Sequence, residues 1–454
     1  MIRPKIALLA CLVSIAAVAA ADEKKPAASD RPAAVERKTT PKPSVTVEKP
    51  SASEKPAAAK KSAKSGETST SVEKPAKSGK KSSPKKESTP DPSKSTDQKT
   101  SSEQGPKAKE FYRLQGELNI LLAKLASLQI EYRTANEDKR TEIPQQWKRL
   151  LLEGKSLEPK LIEAAKQAYA EAPNADPKIT VFLKKILVEQ VNRDDYEPAA
   201  DIGRLLMENH GADRRAANLA GIAAMAVNDF DAAERYLTYA AKEGYYPSAS
   251  SSDKAAPIGA FYLQNVANYK KAWAKEKALR DAEAKADDLP RVLLKTTKGD
   301  IVLELFEDQA PNTVANFIHL VQKGFYKNLT FHRVVAGFMA QGGDPAGNGS
   351  GGPDYSIACE CYRPDARHHF RGSLSMAHAG RDTGGSQFFL TFVPTPHLDG
   401  LHTVFGRVVQ GMDVLAKLQR RDPNDPEAPK ADKILDAEVL RKRDHPYVPK
   451  KMPK

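Results

Sequence analysis

The sequence predicts a multidomain protein: a closed antiparallel β-barrel with two helices in the C-terminal third, an all-α helical-hairpin domain before it, and a disordered N-terminal linker. Three observations carry this. From Arg291 onward, apolar residues alternate with period two in short runs. Between about Ala108 and Asp288 they recur at helical spacing instead. The stretch Asp22–Pro106 has no aromatic residue and no Leu, Ile or Met, so it buries too little apolar surface to offset its chain entropy. At 454 residues there is room for about three domains. The plan is 1–21 signal, 22–106 linker, 107–288 helical domain, 289–445 barrel and 446–454 basic tail.

The first residues have the pattern of an export signal. Arg3 and Lys5 precede an apolar run, Ile6–Ala20, and the small residues Ala17–Ala21 suit cleavage. The run is about 15 residues, short of the roughly 20 that span a bilayer, so cleavage is preferred to a retained membrane anchor. The expected location is therefore periplasmic or secreted. Cleavage leaves Cys359 and Cys361, which form no disulfide framework, and a single C-x-C pair lacks a zinc frame. Asp22–Pro106 holds 19 basic and 12 acidic residues, an excess of 7 within a net charge of +13. Units such as Glu48-Lys49-Pro50 and Glu54-Lys55-Pro56 keep it extended, as a solvated spacer. Weak contact with an anionic envelope is its functional alternative. Ser83-Pro84-Lys85-Lys86 resembles a DNA minor-groove motif, but an exported chain meets little DNA, and no nucleic-acid partner is expected.

Phe111, Leu114, Leu118, Leu121, Leu125, Leu128 and Tyr132 form a heptad seam, expected to pair with another helix of the same domain rather than with a second subunit. A 34-residue self-similarity follows. Asp195-Tyr196 with Ala199 aligns with Asp229-Phe230 and Ala233, and one period upstream stand Ile162 and Ala165. The region resembles a short, degenerate tetratricopeptide array, lacking the characteristic Trp and terminal Pro and carrying Pro198 in a predicted first turn. Such arrays present a peptide-binding face, so a protein partner is one expectation; packing alone is the other. A charged helix over Tyr269–Asp288 joins this domain to the next and ends at Pro290.

In the C-terminal third, Val292, Leu294 and Thr296 alternate with Arg291, Leu293 and Lys295. Lys298-Gly299 turns the chain, and Ile301, Leu303 and Leu305 alternate again. A helix opens with Pro311, buries Val314, Phe317, Ile318 and Val321, and stops at Gly324. Further strands fit Thr330–Val334, Phe338–Gln341, Ser373–Ala377, Gln387–Phe392, Val404–Val408 and a last one near Ala437–Leu440. A second short helix carries Val414, Leu415 and Leu418. Short strands at this spacing argue for a closed antiparallel barrel.

Four segments then stand in order: FHRVVAGFMAQGGD (Phe331–Asp344), SLSMAHAG (Ser373–Gly380), GSQFF (Gly385–Phe389) and HLDGLHTVFGRV (His397–Val408). Together, over about Leu289–Arg443, they resemble the cyclophilin-type peptidyl-prolyl cis–trans isomerases. The resemblance implies an eight-stranded barrel with two capping helices that rotates X–Pro bonds without a cofactor.

It also implies roles. Arg333 would be catalytic, donating to the substrate carbonyl and the prolyl nitrogen, with Gln341 orienting it and His402 beside the ring. Phe338, Met339, Phe389 and Leu398 would form the proline pocket, and Ala377, His378, Ala379 and Gln387 the neighbouring groove. His332 would support Arg333, and both it and His397 would belong to the substrate-binding set. His397 stands where many members have Trp, a position that matters chiefly for cyclosporin, and His378 where many have Asn. The chemistry agrees: the X–Pro barrier of about 18–20 kcal/mol comes from amide resonance, so a catalyst needs only to hold the ring and favour a deconjugated nitrogen. Proline-containing peptides and unfolded exported proteins are the expected partners. The competing reading is a binding scaffold with incidental catalysis. Gly347-x-Gly349-x-x-Gly352 formally matches a dinucleotide fingerprint, but Pro353-Asp354 forbids the helix that must follow. His368-His369 near Cys359 and Cys361 lacks a metal-binding frame, and no metal is expected.

Overall fold

A computed structural model describes residues 105–246 and 258–453. The expected signal peptide, nearly all of the expected linker and its envelope contact lie outside the described residues.

The helical domain contains α1 (Pro106–Thr134), α2 (Glu137–Glu171), α3 (Pro177–Asn192), α4 (Tyr196–Glu208), α5 (Arg214–Ala226), α6 (Phe230–Lys242) and α7 (Ile258–Ala286). The heptad seam buries Phe111, Leu114, Leu118, Leu121 and Leu125 and packs on α2, the intramolecular pairing. Helices α3 to α6 form two successive hairpins. The aligned dipeptides mark the same place in each: Asp195 and Asp229 are N-caps, each preceded by a residue at positive φ, Asp194 (+60°) and Asn228 (+64°). Ala199 and Ala233 are wholly buried one turn later. One period upstream the pattern changes, because Ile162 and Ala165 sit inside the single 35-residue helix α2. Pro198 falls in the first turn of α4, where its missing N–H would have had no intrahelical partner. None of the described helices is long and apolar enough to cross a membrane.

The last helix differs from expectation. It begins at Ile258 rather than Tyr269, and it packs into the barrel rather than merely leading to it. Tyr262 is fully buried and donates to the Pro394 carbonyl at 3.2 Å. Trp273 meets Phe370 of the barrel edge-on at 5.0 Å. One core cluster runs through both regions, and the described residues of both belong to a single compact unit.

The barrel consists of β1 (Arg291–Thr296), β2 (Gly299–Leu305), α8 (Pro311–Gln322), β3 (Arg333–Val335), β4 (Met339–Gly342), β5 (Tyr355–Ser356), β6 (Ser373–Met376), β7 (Phe388–Thr391), β8 (Val404–Gln410), α9 (Met412–Lys417), β9 (Ile434–Arg441) and β10 (Met452–Pro453). Eight strands form one antiparallel sheet in the order β3-β4-β7-β6-β8-β2-β1-β9. The sheet curls, but no continuous ladder closes it. Its ends approach through the isolated bridge Thr330↔Lys433, and Val334 on β3 bridges to Arg421 in the segment before β9; the expected strand from Thr330 is ordered as a strand only from Arg333. On β1 the inward residues are Val292, Leu294 and Thr296, as period two requires. On α8, Phe317 packs edge-to-face against Phe388 and Phe405.

The expected basic tail is not free. Pro453 and Met452 pair with Tyr355 and Ser356, and Tyr447 is buried, donating to Glu307 at 2.7 Å. β5 and β10 are too short to show a periodic signal in the sequence.

Candidate active site

Strand pairing builds the site. Arg333 on β3 lies opposite Gln341 on β4, and Gln341 lies opposite Phe389 on β7. Paired residues share a face and side chains alternate along a strand, so Arg333, Met339, Gln341 and Phe389 project to the same side of the sheet. Their neighbours Val334, Ala340, Phe388 and Leu390 fill the core on the other side.

A cleft of about 430 Å³ opens on that face. Its lining includes Arg333, Phe338, Met339, Gln341, Ala377, His378, Ala379, Gln387, Phe389, Leu398 and His402, all expected from the sequence. The guanidinium carbon of Arg333 stands 5.8 Å from the centre of the Phe338 ring. Neither a hydrogen bond nor an ion pair engages this guanidinium among the described residues, so its donors are available to a ligand.

The polar groups opposite are largely committed to the chain itself. Gln341 donates to Gln387 at 2.9 Å rather than to Arg333. The Gln387 amide in turn donates to the carbonyls of Gly349 and Gly351 at 2.9 and 2.8 Å, holding the 349–353 loop as one wall of the cleft. Asp344 secures the same loop by accepting from the backbone N–H groups of Ala346 and Asn348 at 2.8 and 2.9 Å. This is what the glycine-rich run does: it wraps a carboxylate with backbone amides instead of cradling a dinucleotide. Gly349 to Pro353, Thr383, Gly385 and Ser386 also line the cleft, a role that the sequence does not assign to them. The position of the 349–353 loop relative to Gln387 reveals its members.

His378 Nε2 donates to the Leu401 carbonyl at 2.8 Å while its Nδ1 accepts from Gly380 N–H. His402 Nδ1 donates to the Met376 carbonyl at 3.0 Å, and the two rings stack at 4.1 Å. Burial holds the His402 pKa below the usual histidine value, and the fields of His378, His369 and His397 add to this against the Met376 hydrogen bond. In the neutral ring that donates from Nδ1, Nε2 is left as an acceptor.

The barrel's matches to known proteins agree with this geometry. Residues 291–439 match the family model described as cyclophilin type peptidyl-prolyl cis-trans isomerase/CLD. A peptidyl-prolyl cis-trans isomerase of Helicobacter pylori is 53% identical over 149 residues, 32% of this chain and 91% of that protein. One of Synechococcus elongatus is 53% identical over 30% of this chain and 92% of that protein. Peptidyl-prolyl cis-trans isomerase B of Bacillus subtilis is 53% identical over 27% of this chain and 85% of that protein. The chain belongs to the cyclophilin-type peptidyl-prolyl cis–trans isomerases.

Within this cyclophilin domain, two expected site residues stand elsewhere. His332 is 1% exposed, lies behind the strand rather than in the cleft, and has both ring nitrogens unpartnered among the described residues. Alternation along the strand turns it away from the face that Arg333 occupies. Burial keeps it below the usual histidine pKa. His397 is outside the lining: it is exposed and its ring stacks on Phe338 at 5.6 Å, so it braces that ring from the solvent side. No group of three or more His, Cys, Asp or Glu side chains placed to hold a metal occurs among the described residues, and both ring nitrogens of His369 are engaged. Its ring lies parallel to Phe389 at 5.9 Å, with Nδ1 at 2.8 Å from Asp399 and Nε2 at 2.9 Å from Ser375. Cys359 and Cys361 are free thiols.

Proposed function

We propose that this isomerase acts on X–Pro bonds of exported proteins, and that Arg333 lowers the rotation barrier by donating to the substrate carbonyl and to the prolyl nitrogen as it loses conjugation. The observation that carries the mechanism is an unpartnered guanidinium beside an apolar cup of Phe338, Met339, Phe389 and Leu398. The cup takes the ring, and the guanidinium meets charge that develops only as the amide twists, which is the interaction that raises turnover rather than affinity. No cofactor enters the scheme. Proline-containing peptides are the ligands that this cup and donor set fit.

Export is supported by the Arg3/Lys5, Ile6–Ala20 and Ala17–Ala21 pattern. Fractionation and mass spectrometry of the protein from its own cells test it: a mature chain starting near Asp22 outside the cytoplasm is expected, and a cytoplasmic chain with an intact Met1 refutes it. For the mechanism, turnover of a short Pro peptide by the full chain is compared with Arg333→Ala. Loss of one preorganised donor predicts a fall of about 10²–10³-fold in kcat/KM. Equal turnover would remove Arg333 from the mechanism.

A further inference from the structure

The turn that joins β3 to β4 is held from outside the cyclophilin domain. Gly337, at φ +65°, donates its backbone N–H to Asp194 Oδ1 at 2.7 Å. Asp194 lies in the turn between α3 and α4 of the helical domain, 143 residues away in sequence, and is 1% exposed. It adopts φ +60°, which Asp tolerates better than most residues. The Tyr196 hydroxyl also donates to Oδ1, at 2.9 Å. Arg420 of the barrel donates to Oδ2 and, at 2.6 Å, to the Arg193 carbonyl, while its other nitrogen reaches the Leu418 carbonyl at 2.6 Å. The carboxylate is thus fixed by donors from both regions, and its position is as rigid as the packing around it.

Both arms of the turn carry the site. β3 bears Arg333; the turn ends at Phe338, and β4 follows with Met339 and Gln341. Phe338 is held on three further sides: its carbonyl accepts from Phe392 N–H at 2.9 Å, its ring stacks on His397, and Arg333 stands over it. At the tip, Ala336 and Gly337 are exposed to solvent, and the Asp194 carboxylate is the group that restrains the Gly337 N–H.

We propose that Asp194 is a positioning residue of the isomerase, through which the helical domain sets the geometry of Arg333 and Phe338. The inference rests on the Arg333–Phe338 cleft being the site of turnover. It makes the helical domain part of the catalytic apparatus, whatever else that domain binds. A displacement of about 1 Å at a preorganised site costs on the order of 10²-fold in rate, so the effect is measurable.

The test uses the full chain with Asp194→Gly, which accepts the positive φ but removes the acceptor. Asp194→Asn keeps the acceptor that Gly337 uses and gives up the one that Arg420 uses, so it serves as the conservative rescue for the turn alone. Glu197→Ala breaks the neighbouring, partly exposed pair with Arg371 without touching the turn. Kinetics on a Pro peptide and amide hydrogen exchange at Gly337 are read together. In Asp194→Gly, kcat is expected to fall about 10- to 100-fold with KM little changed. Exchange at Gly337 should accelerate while Ala340 stays protected. Asp194→Asn should recover most of kcat, and Glu197→Ala should match the parent. If the glycine variant does not fold, Asp194→Ser, whose hydroxyl cannot reach as far, takes its place. Wild-type kcat despite faster Gly337 exchange overturns the proposal, as does an equal loss in Glu197→Ala. Arg333→Ala run alongside separates the two claims. If it turns over normally, the site reading fails and this inference with it; if it collapses while Asp194→Gly does not, only the positioning role fails.

Discussion

Replacing Glu276 by Ala should uncouple the helical domain from the barrel at measurable cost. Arg367, on the barrel, has a side chain only 2% exposed and reaches into α7. Its Nε and Nη2 donate to the two oxygens of Glu276, each at 2.8 Å, and its Nη1 donates to Glu283. The guanidinium carbon also lies 3.8 Å from the centre of the Phe306 ring. Arg280 donates to the same Glu276 at 2.7 Å. Removing one partner of a buried pair costs about 3–5 kcal/mol, because the other charge is left uncompensated. Glu283 remains as a second acceptor, which places Glu276→Ala at the lower end, about 3 kcal/mol. With a urea slope of about 3 kcal/mol per M for a protein of this size, the midpoint falls by about 1 M. Trp273 reports the change directly, since it packs on Phe370 and lies under Arg280 at 4.8 Å; a Trp147→Phe background leaves it the sole fluorophore of its kind. Arg367→Met completes a double-mutant cycle. A coupling energy within about 0.5 kcal/mol of zero would show that the pair does not tie the two regions together.

Three shorter predictions concern pH and the tail. Burial pushes the Asp399 carboxyl up, but hydrogen bonds from His368 and His369 outweigh it and hold the pKa at about 2, against an ordinary 3.8. A depressed folded pKa contributes stability that is present above the unfolded value and lost as pH falls through the folded one. Acid unfolding of Asp399→Asn should therefore show a shallower loss between pH 4 and 2 than the parent; parallel curves would contradict this. His402 stays neutral above the ordinary 6.5 because its folded pKa is lowered, so kcat/KM should be flat from pH 8 to 6.5 and decline only below that. A midpoint at or above 6.5 would show that the ring is not desolvated as described. Tyr447→Phe leaves the buried Glu307 one donor short, at a cost of about 1–3 kcal/mol by thermal or urea unfolding; no change would mean that the tail is not docked in solution.

What the sequence revealed was local. The β1–β2 hairpin reads directly because Arg291–Thr296 and Gly299–Leu305 are contiguous and alternate cleanly. The seam on α1 reads because its partner is the next helix. The site face reads because Arg333, Met339 and Gln341 lie within nine residues, with pairing partners on adjoining strands. Long-range polar contacts carry no such signal. Arg367 and Glu276 are separated by 91 residues, and Asp194 and Gly337 by 143; a lone Arg, Glu or Asp on a helix or turn reads as a solvated charge. The same limit explains His332. Its place beside Arg333 in the motif suggested a role in the cleft, whereas strand alternation sends its side chain to the opposite face. Gln387 illustrates the converse. It stands in the cleft as expected, yet its amide holds the chain's own loop.

The central claim is that the Arg333 guanidinium accelerates rotation rather than gripping the peptide. Exchange NMR on a Pro peptide saturating the full chain measures both quantities in one sample. For Arg333→Ala, the on-enzyme cis–trans exchange rate should fall about 10²-fold or more while the Kd changes only a few-fold. An unchanged exchange rate, with the loss appearing in Kd instead, would make the cleft a binding groove and contradict the account.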